Sequence, residues 1–357
     1  MALLIDGVRV PLRWAERKRS PTAKSNDRDV SALECVKVAL INNMPDAALE
    51  DTEMQFMELL DAASGDVPVR LSLLSLPKVP RSERGQQHLA NFYGSVDRLW
   101  NERFDAVIVT GTEPRQPDLR QEPYWSALTE VLEWAERNTV STVLSCLAAH
   151  AGVLHSDGIR RQPLGDKLFG VFESACVLNH DLTRQAGRSI RFPHSRWNEV
   201  RPDELTACGY SVLTRSEQAG ADVFVKRRQK SLFVHFQGHP EYGAQTLLRE
   251  YRRDIKRFLR KERETYPTMP IGYFDGAREK LLADFQEAAL RDSREEQIEF
   301  FPEPLAAASL RNGWQSSATC IYRNWIGYVL SRRGERAAFA AMAQGRRPSI
   351  TASNELA

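Results

Sequence analysis

STVLSCLAAHAGVL, residues 141–154, reads as a short apolar strand that runs through a cysteine into a helix. STVLS is apolar enough for a strand buried on both faces. AAHAGVL (148–154) suits the start of a helix, and Cys146 marks the turn between the two. The same texture recurs upstream, where VKVALIN (36–42), VRLSLLSL (69–76) and DAVIVTG (105–111) are further strand candidates. Phe56, Leu59, Leu60 and Ala63 fall at i, i+3, i+4 and i+7, one face of a helix starting near Asp51. Leu128, Val131, Leu132 and Ala135 form a second stripe between Tyr124 and Asn138. Strands alternating with helices across 36–160 predict an α/β fold, a mostly parallel sheet flanked by helices. In open sheets of this kind ligands sit at the carboxyl ends of the strands. Asn43, Gly111, Cys146 and His239 fall there.

Downstream, SVLTRS (211–216), ADVFVKR (221–227) and SLFVHFQ (231–237) are closely spaced strand candidates with charged turns, which predicts an antiparallel extension. A long helix is expected over 244–263, another over Ala277–Arg291, a Pro-bearing connection at FFPEP (300–304) and an amphipathic segment at Ile321–Ser331. Residues 14–32 are polar and lack apolar periodicity, so they read as an exposed arm. The organisation expected is an N-terminal arm over 1–34, a catalytic domain over 35–265, and a C-terminal extension over 266–357 that covers the site and ends in a flexible tail. No internal repeat is visible.

Composition narrows the function classes. Forty-nine basic residues nearly cancel 47 acidic ones, and a net charge of +2 gives no general drive toward nucleic acid or an anionic membrane. No apolar run approaches the ~20 residues of a membrane span, and Met1–Arg19 is too charged to resemble a secretory signal. The five cysteines are scattered without a CxxC pair, which suggests neither a disulfide framework nor a zinc site. A reducing, cytoplasmic setting follows.

A cysteine at the end of a buried strand is more often an inert small hydrophobe than a nucleophile. The loop after SLFVHFQ changes the balance. It reads Gly238-His239-Pro240-Glu241, and a cysteine nucleophile needs a base that in turn needs an orienting partner. His239 and Glu241 supply both from one loop. A helix start behind Cys146 would favour its thiolate, and backbone N–H groups at the turn could stabilise an oxyanion. His150 and His194 lack a carboxylate or thiol at ligand spacing, so a supporting or substrate-contact role is preferred over metal binding. No metal site is expected. The basic run 252–263 reads as a solvated helix face.

With these residues in view, the chain resembles the homoserine O-acyltransferase (O-succinyltransferase) family, which has a class I glutamine amidotransferase-like fold. INNMPDAALEDTEMQFMELL (41–60), QQHLANFY (86–93), FDAVIVTG (104–111), STVLSC (141–146), DKLFGVFE (166–173), PHSR (193–196), GHPEY (238–242), EYRRDIKR (250–257) and NWIGYVL (324–330) carry the resemblance. It implies Cys146 as acyl-thioester nucleophile, His239 as general base and Glu241 as its orienting partner. It also implies Lys167 and Ser195 as substrate contacts, and Arg253 as the holder of the amino-acid carboxylate. Three motifs depart from the family pattern: Cys146-Leu-Ala-Ala-His150, Thr110-Gly-Thr-Glu-Pro114 and Gly313-Trp-Gln-Ser-Ser-Ala-Thr319. All three lie where substrates would be bound or covered.

The implied chemistry is a two-step acyl transfer from acyl-CoA, as co-substrate rather than cofactor, to the hydroxyl of homoserine or a related hydroxy amino acid. The N–H of Leu147 and a second donor near Asn43 would form the oxyanion hole. Arg115 occupies the family position associated with donor choice, and an arginine there could pair with the distal carboxylate of a succinyl group. Succinyl-CoA is therefore expected over acetyl-CoA, in a homodimer that serves methionine biosynthesis. A glutamine amidohydrolase on the same three residues, a homoserine O-acetyltransferase and a degenerate binding subunit remain the alternatives.

Overall fold

The computed structural model describes residues 3–6, 9–19, 35–308 and 310–345. Short, largely buried strands do pair as the alternation predicts. In chain order the elements begin with β1 (Leu3–Asp6), α1 (Leu12–Arg19), β2 (Val36–Ile41), α2 (Asp46–Ser64), β3 (Val69–Leu74), α3 (Glu83–Phe92), α4 (Arg98–Asn101), β4 (Ala106–Val109), α5 (Trp125–Asn138), β5 (Ser141–Ser145) and α6 (Leu147–Asp157). A long hairpin follows, β6 (Gln162–Cys176) and β7 (Ser189–Glu199), then α7 (Pro202–Ala207) and the strands β8 (Ser211–Val212), β9 (Thr214–Ser216), β10 (Gly220–Ala221), β11 (Val223–Arg228) and β12 (Ser231–Phe236). Four helices close the described chain: α8 (Thr246–Leu259), α9 (Gly276–Arg291), α10 (Glu303–Ala307) and α11 (Gln315–Gly345).

The main sheet has eight strands in the order β1-β3-β2-β4-β5-β12-β11-β8. Its pairs are parallel from β1 to β12 and antiparallel from β12 to β8. Successive strand residues point to opposite faces. Val36, Val38 and Leu40 therefore join α2 and α11 on one side, through Phe56, Leu60, Ile321 and Trp325. Ala39 and Ile41 join α5 and α6 on the other, through Val131, Leu132 and Ala148. The chain passes from β2 to β3 on one side and from β4 to β5 on the other, so the switch point lies between β2 and β4. Their carboxyl ends flank a crevice.

Several expectations change here. Part of the expected N-terminal arm is built into the fold: β1 pairs with β3, and Trp14 of α1 is buried. Arg13 and Arg17 stay exposed while binding α2, Arg13 to Asp51 at 2.7 Å and Arg17 to Glu58 at 2.6 Å. Residues 20–34 lie outside the described residues, as does the tail after Gly345. SVLTRS does not form one strand. It bends at Leu213, giving β8 to the main sheet and β9 to a second, four-stranded sheet of order β10-β9-β6-β7. The β6–β7 hairpin itself had no counterpart in the sequence reading.

The buried residues of the C-terminal extension join the core under the sheet. The Trp325 indole donates to Ser141 Oγ at 2.9 Å, at the start of β5 and away from the strand ends that flank the crevice. Asn312 and Trp314 reach the catalytic side, where their side chains both donate to the Tyr242 carbonyl, at 3.2 and 2.7 Å. Among the described residues, no helix is long and apolar enough to cross a membrane.

Candidate active site

Cys146 sits between β5 and α6 with φ 50° and ψ −110°, a backbone conformation that costs a non-glycine residue about 1–3 kcal/mol. The turn is held from beneath, where the Cys146 N–H donates to the Phe236 carbonyl at 2.7 Å. β5 and β12 lie side by side in register, Ser145 opposite Phe236. Their ends therefore deliver Cys146 and the Gly238–Glu241 loop to one place. That pairing brings the base to the nucleophile.

His239 is buried, and its Nδ1 lies 2.8 Å from Glu241 Oε1. Ser145 Oγ donates to the same carboxylate oxygen at 3.3 Å. The Cys146 sulfur is within electrostatic reach of the imidazole, and the Tyr242 ring stacks on it with centroids 4.1 Å apart. Burial by itself pushes the His239 pKa down. The Cys146 thiolate and the Glu241 carboxylate outweigh it, and the ring keeps its proton well above the ordinary histidine range. A thiol, a base that holds its proton and a fixed carboxylate suit nucleophilic acyl chemistry.

A polar patch adjoins this trio through Tyr242, whose hydroxyl donates to Glu250 Oε1 at 2.7 Å. Ser195 of β7 donates to Glu250 Oε2. Lys167 of β6 lies over the Phe169 ring at 3.9 Å and reaches Asp254 at 2.8 Å and Glu250 at 3.6 Å. Arg253 binds Asp254 Oδ1 at 2.9 Å, with its side chain 43% exposed. Burial pushes the Glu250 and Asp254 carboxyls up, but Lys167 and Arg253 more than offset it, so both stay ionised below their usual range. Lys167, Ser195 and Arg253 thus meet, as expected. Glu250 and Asp254 were missed, although Glu250, Arg253, Asp254 and Arg257 fall at i, i+3, i+4 and i+7 on α8. That spacing was the available signal.

Other candidates land elsewhere. Asn43 donates its N–H to Thr110 Oγ1 at 2.8 Å and its amide to the Thr110 carbonyl at 3.3 Å. Its backbone N–H is committed to joining β2 to β4, along with one of its two side-chain amide hydrogens. Gly111 comes closer to the turn, since a Cβ there would lie 2.8 Å from Leu147 Cβ and 3.0 Å from its N. Arg115 is exposed and its guanidinium forms no ion pair among the described residues. His150 and His194 are buried beneath the site: His150 Nε2 lies 2.9 Å from Gln237 Oε1, and His194 Nε2 lies 3.6 Å from Asp222. The basic face of α8 is ion-paired, with Arg257 to Glu113 and Arg260 to Glu295.

Sequence comparison decides the family. A model described as homoserine O-succinyltransferase matches residues 17–335. The chain belongs to the homoserine O-succinyltransferase family. Among its relatives, a homoserine O-succinyltransferase of Rhodopseudomonas palustris is 44% identical over 85% of this chain and 90% of its own length. One from Bradyrhizobium japonicum is 42% identical over 92% of this chain and 99% of its own. The chain is accordingly an acyltransferase. A solved glutamine amidotransferase from Methylobacillus flagellatus aligns at 13% identity over 83% of this chain and 95% of its own, with a TM-score of 0.45.

Proposed function

We propose that the enzyme transfers a succinyl group from a CoA thioester to the hydroxyl of homoserine through an acyl-enzyme on Cys146. The observation that carries the reading is the contiguity of two sites. Cys146, His239 and Glu241 form an acyl-transfer trio, and Tyr242 links it to a patch of paired acidic and basic side chains. His239 holds the thiol proton while the thiolate attacks the thioester carbonyl. The oxyanion falls to the N–H of Leu147, which opens α6 without an intrahelical acceptor, and to the N–H of Gly111 beside it. The imidazolium returns its proton to the departing CoA sulfur. Homoserine then enters with its ammonium toward Glu250 and Asp254 and its carboxylate toward Arg253, a geometry that suits a guanidinium fork. His239 takes the hydroxyl proton as the alcohol attacks the thioester, and the thiolate leaves.

The names of the relatives support the acceptor and the acyl group. Methionine biosynthesis, a cytoplasmic setting and a homodimer are part of the same proposal. The test is intact mass after incubation with succinyl-CoA alone, followed by addition of homoserine, serine or water. A succinyl adduct that Cys146→Ala lacks, and that homoserine discharges faster than serine, is expected. Absence of the adduct with ammonia released from glutamine would favour amidohydrolase chemistry instead.

A further inference from the structure

His239 serves Cys146 only while its backbone is held, and the pairing of β12 with β5 ends at Phe236. The next three N–H groups of the chain go elsewhere. The Gln237 N–H donates to the Asp222 carbonyl at 2.9 Å, the Gly238 N–H to Asp222 Oδ1 at 2.9 Å, and the His239 N–H to the Pro193 carbonyl at 2.8 Å. Asp222 lies between β10 and β11 and is fully buried. Thr214 of β9 holds it in place, accepting the Asp222 N–H on its carbonyl at 3.1 Å and the Val223 N–H on its Oγ1 at 3.0 Å. His194 of β7, also fully buried, backs the carboxylate. Its Nδ1 accepts from Arg196 Nε at 3.4 Å, which leaves the ring proton on Nε2, 3.6 Å from Asp222 Oδ1. A Cβ on Gly238 would fall 2.9 Å from Asp222 Oδ1, 2.9 Å from His194 Nε2 and 3.0 Å from the Pro193 carbonyl oxygen. The carboxylate, the imidazole and the strand close on one glycine.

We propose that Asp222 and His194 are positioning residues for acyl transfer, clamping Gly238 so that His239 presents its imidazole to Cys146. This rests on the acyl-enzyme reading above, with His239 as the base. A carboxylate that accepts a backbone N–H makes a stronger bond than a neutral oxygen does, and enclosure by protein removes the screening of water. A turn of the Gly238 peptide would carry His239 with it, and a small misplacement of a base slows the reaction it serves. Glu241 cannot replace the clamp, because it orients the ring from within the same loop and would move with it.

Alkylation of Cys146 by iodoacetamide at pH 7, read by peptide mass, reports how well His239 supports the thiolate in the folded enzyme with no acyl donor present. Asp222→Ala should slow it roughly tenfold, and slow acylation by succinyl-CoA and transfer to homoserine to a similar extent. KM for homoserine should change less than about twofold, since Glu250, Arg253 and Asp254 sit on α8 and keep their own partners. Asp222→Asn keeps an oxygen for the Gly238 N–H and should stay within about threefold of wild type. An Asp222→Ala enzyme that is folded by circular dichroism and alkylated at the wild-type rate overturns the proposal, as does an Asp222→Asn enzyme as slow as Asp222→Ala. Should Asp222→Ala not fold, His194→Leu carries the test, because it keeps most of the ring's bulk and removes Nε2. Slower alkylation is expected of it, and the wild-type rate overturns the proposal. If His239→Ala itself leaves alkylation of Cys146 unchanged, the acyl-enzyme reading has failed and this assignment falls with it.

Discussion

Cys146 and His239 divide one chemical task, and their replacement should separate the parts. Cys146→Ala should abolish the covalent adduct, because no other thiol occupies the elbow. His239→Ala should suppress both half-reactions. Glu241→Gln keeps an oxygen to accept from Nδ1 but loses the charge that favours the imidazolium, so its loss of kcat should be the smaller. Full turnover by Cys146→Ala would end the covalent mechanism. Arg253 touches the other half of the site. Its guanidinium already spends two donors on Asp254 and keeps the remainder outward. Arg253→Ala should raise KM for the amino acid about tenfold or more, the scale of a lost charge-assisted contact, and leave acylation of Cys146 intact. Comparable losses in acylation and in transfer would remove Arg253 from acceptor binding.

At the level of elements, the β6–β7 hairpin positions Lys167 and Ser195 over α8, and its geometry depends on Gly170. That residue has φ +150°, and an added Cβ would fall 2.3 Å from the Ile271 carbonyl oxygen. The carbonyl cannot easily retreat, because the Val171 N–H donates to it at 2.8 Å while the Ile271 N–H donates to the Phe169 carbonyl at 2.9 Å. Gly170→Ala should therefore cost about 2 kcal/mol or more, from overpacking and backbone strain together. Gly165, on the same strand with open space around it, is the control and should cost much less when changed to Ala. Urea midpoints for the two variants compare them directly. Equal midpoints would show that the hairpin accommodates the clash.

For the molecule as a whole, two buried histidines weaken it in acid. His150 and His235 are both enclosed, and burial pushes each down to about 3. They are neutral in the native state, whereas an unfolded chain protonates them near the ordinary value of about 6.5. Between those two values the unfolded chain binds more protons. Stability should therefore fall as pH drops below about 6.5, by up to about 1.4 kcal/mol per pH unit for each residue. Above that range neither residue contributes to the pH dependence. Unfolding free energies at pH 7, 6 and 5 measure the slope. His235→Phe, which can keep the stack on Phe224, should flatten it whatever its effect at pH 7. A slope identical to wild type would exclude His235 as a source.

The alternation of apolar runs and helical stripes, the cysteine at the end of β5, and the Gly-His-Pro-Glu loop after β12 are local patterns, and each was legible from spacing alone. His239 and Glu241 stand two residues apart in one loop, so their pairing needed no knowledge of distant contacts. The rest depended on what the fold brings together from far along the chain. Asn43 looked available at a strand end until Thr110 claimed its backbone N–H and one of its amide hydrogens. Residues 14–19 looked like part of an exposed arm until Trp14 packed into the core. Lys167 and Ser195 reach Glu250 only because β6 and β7 pair over α8. Only tertiary packing sets such partners, because contacts between residues far apart in the chain depend on which strands and helices the fold lays side by side.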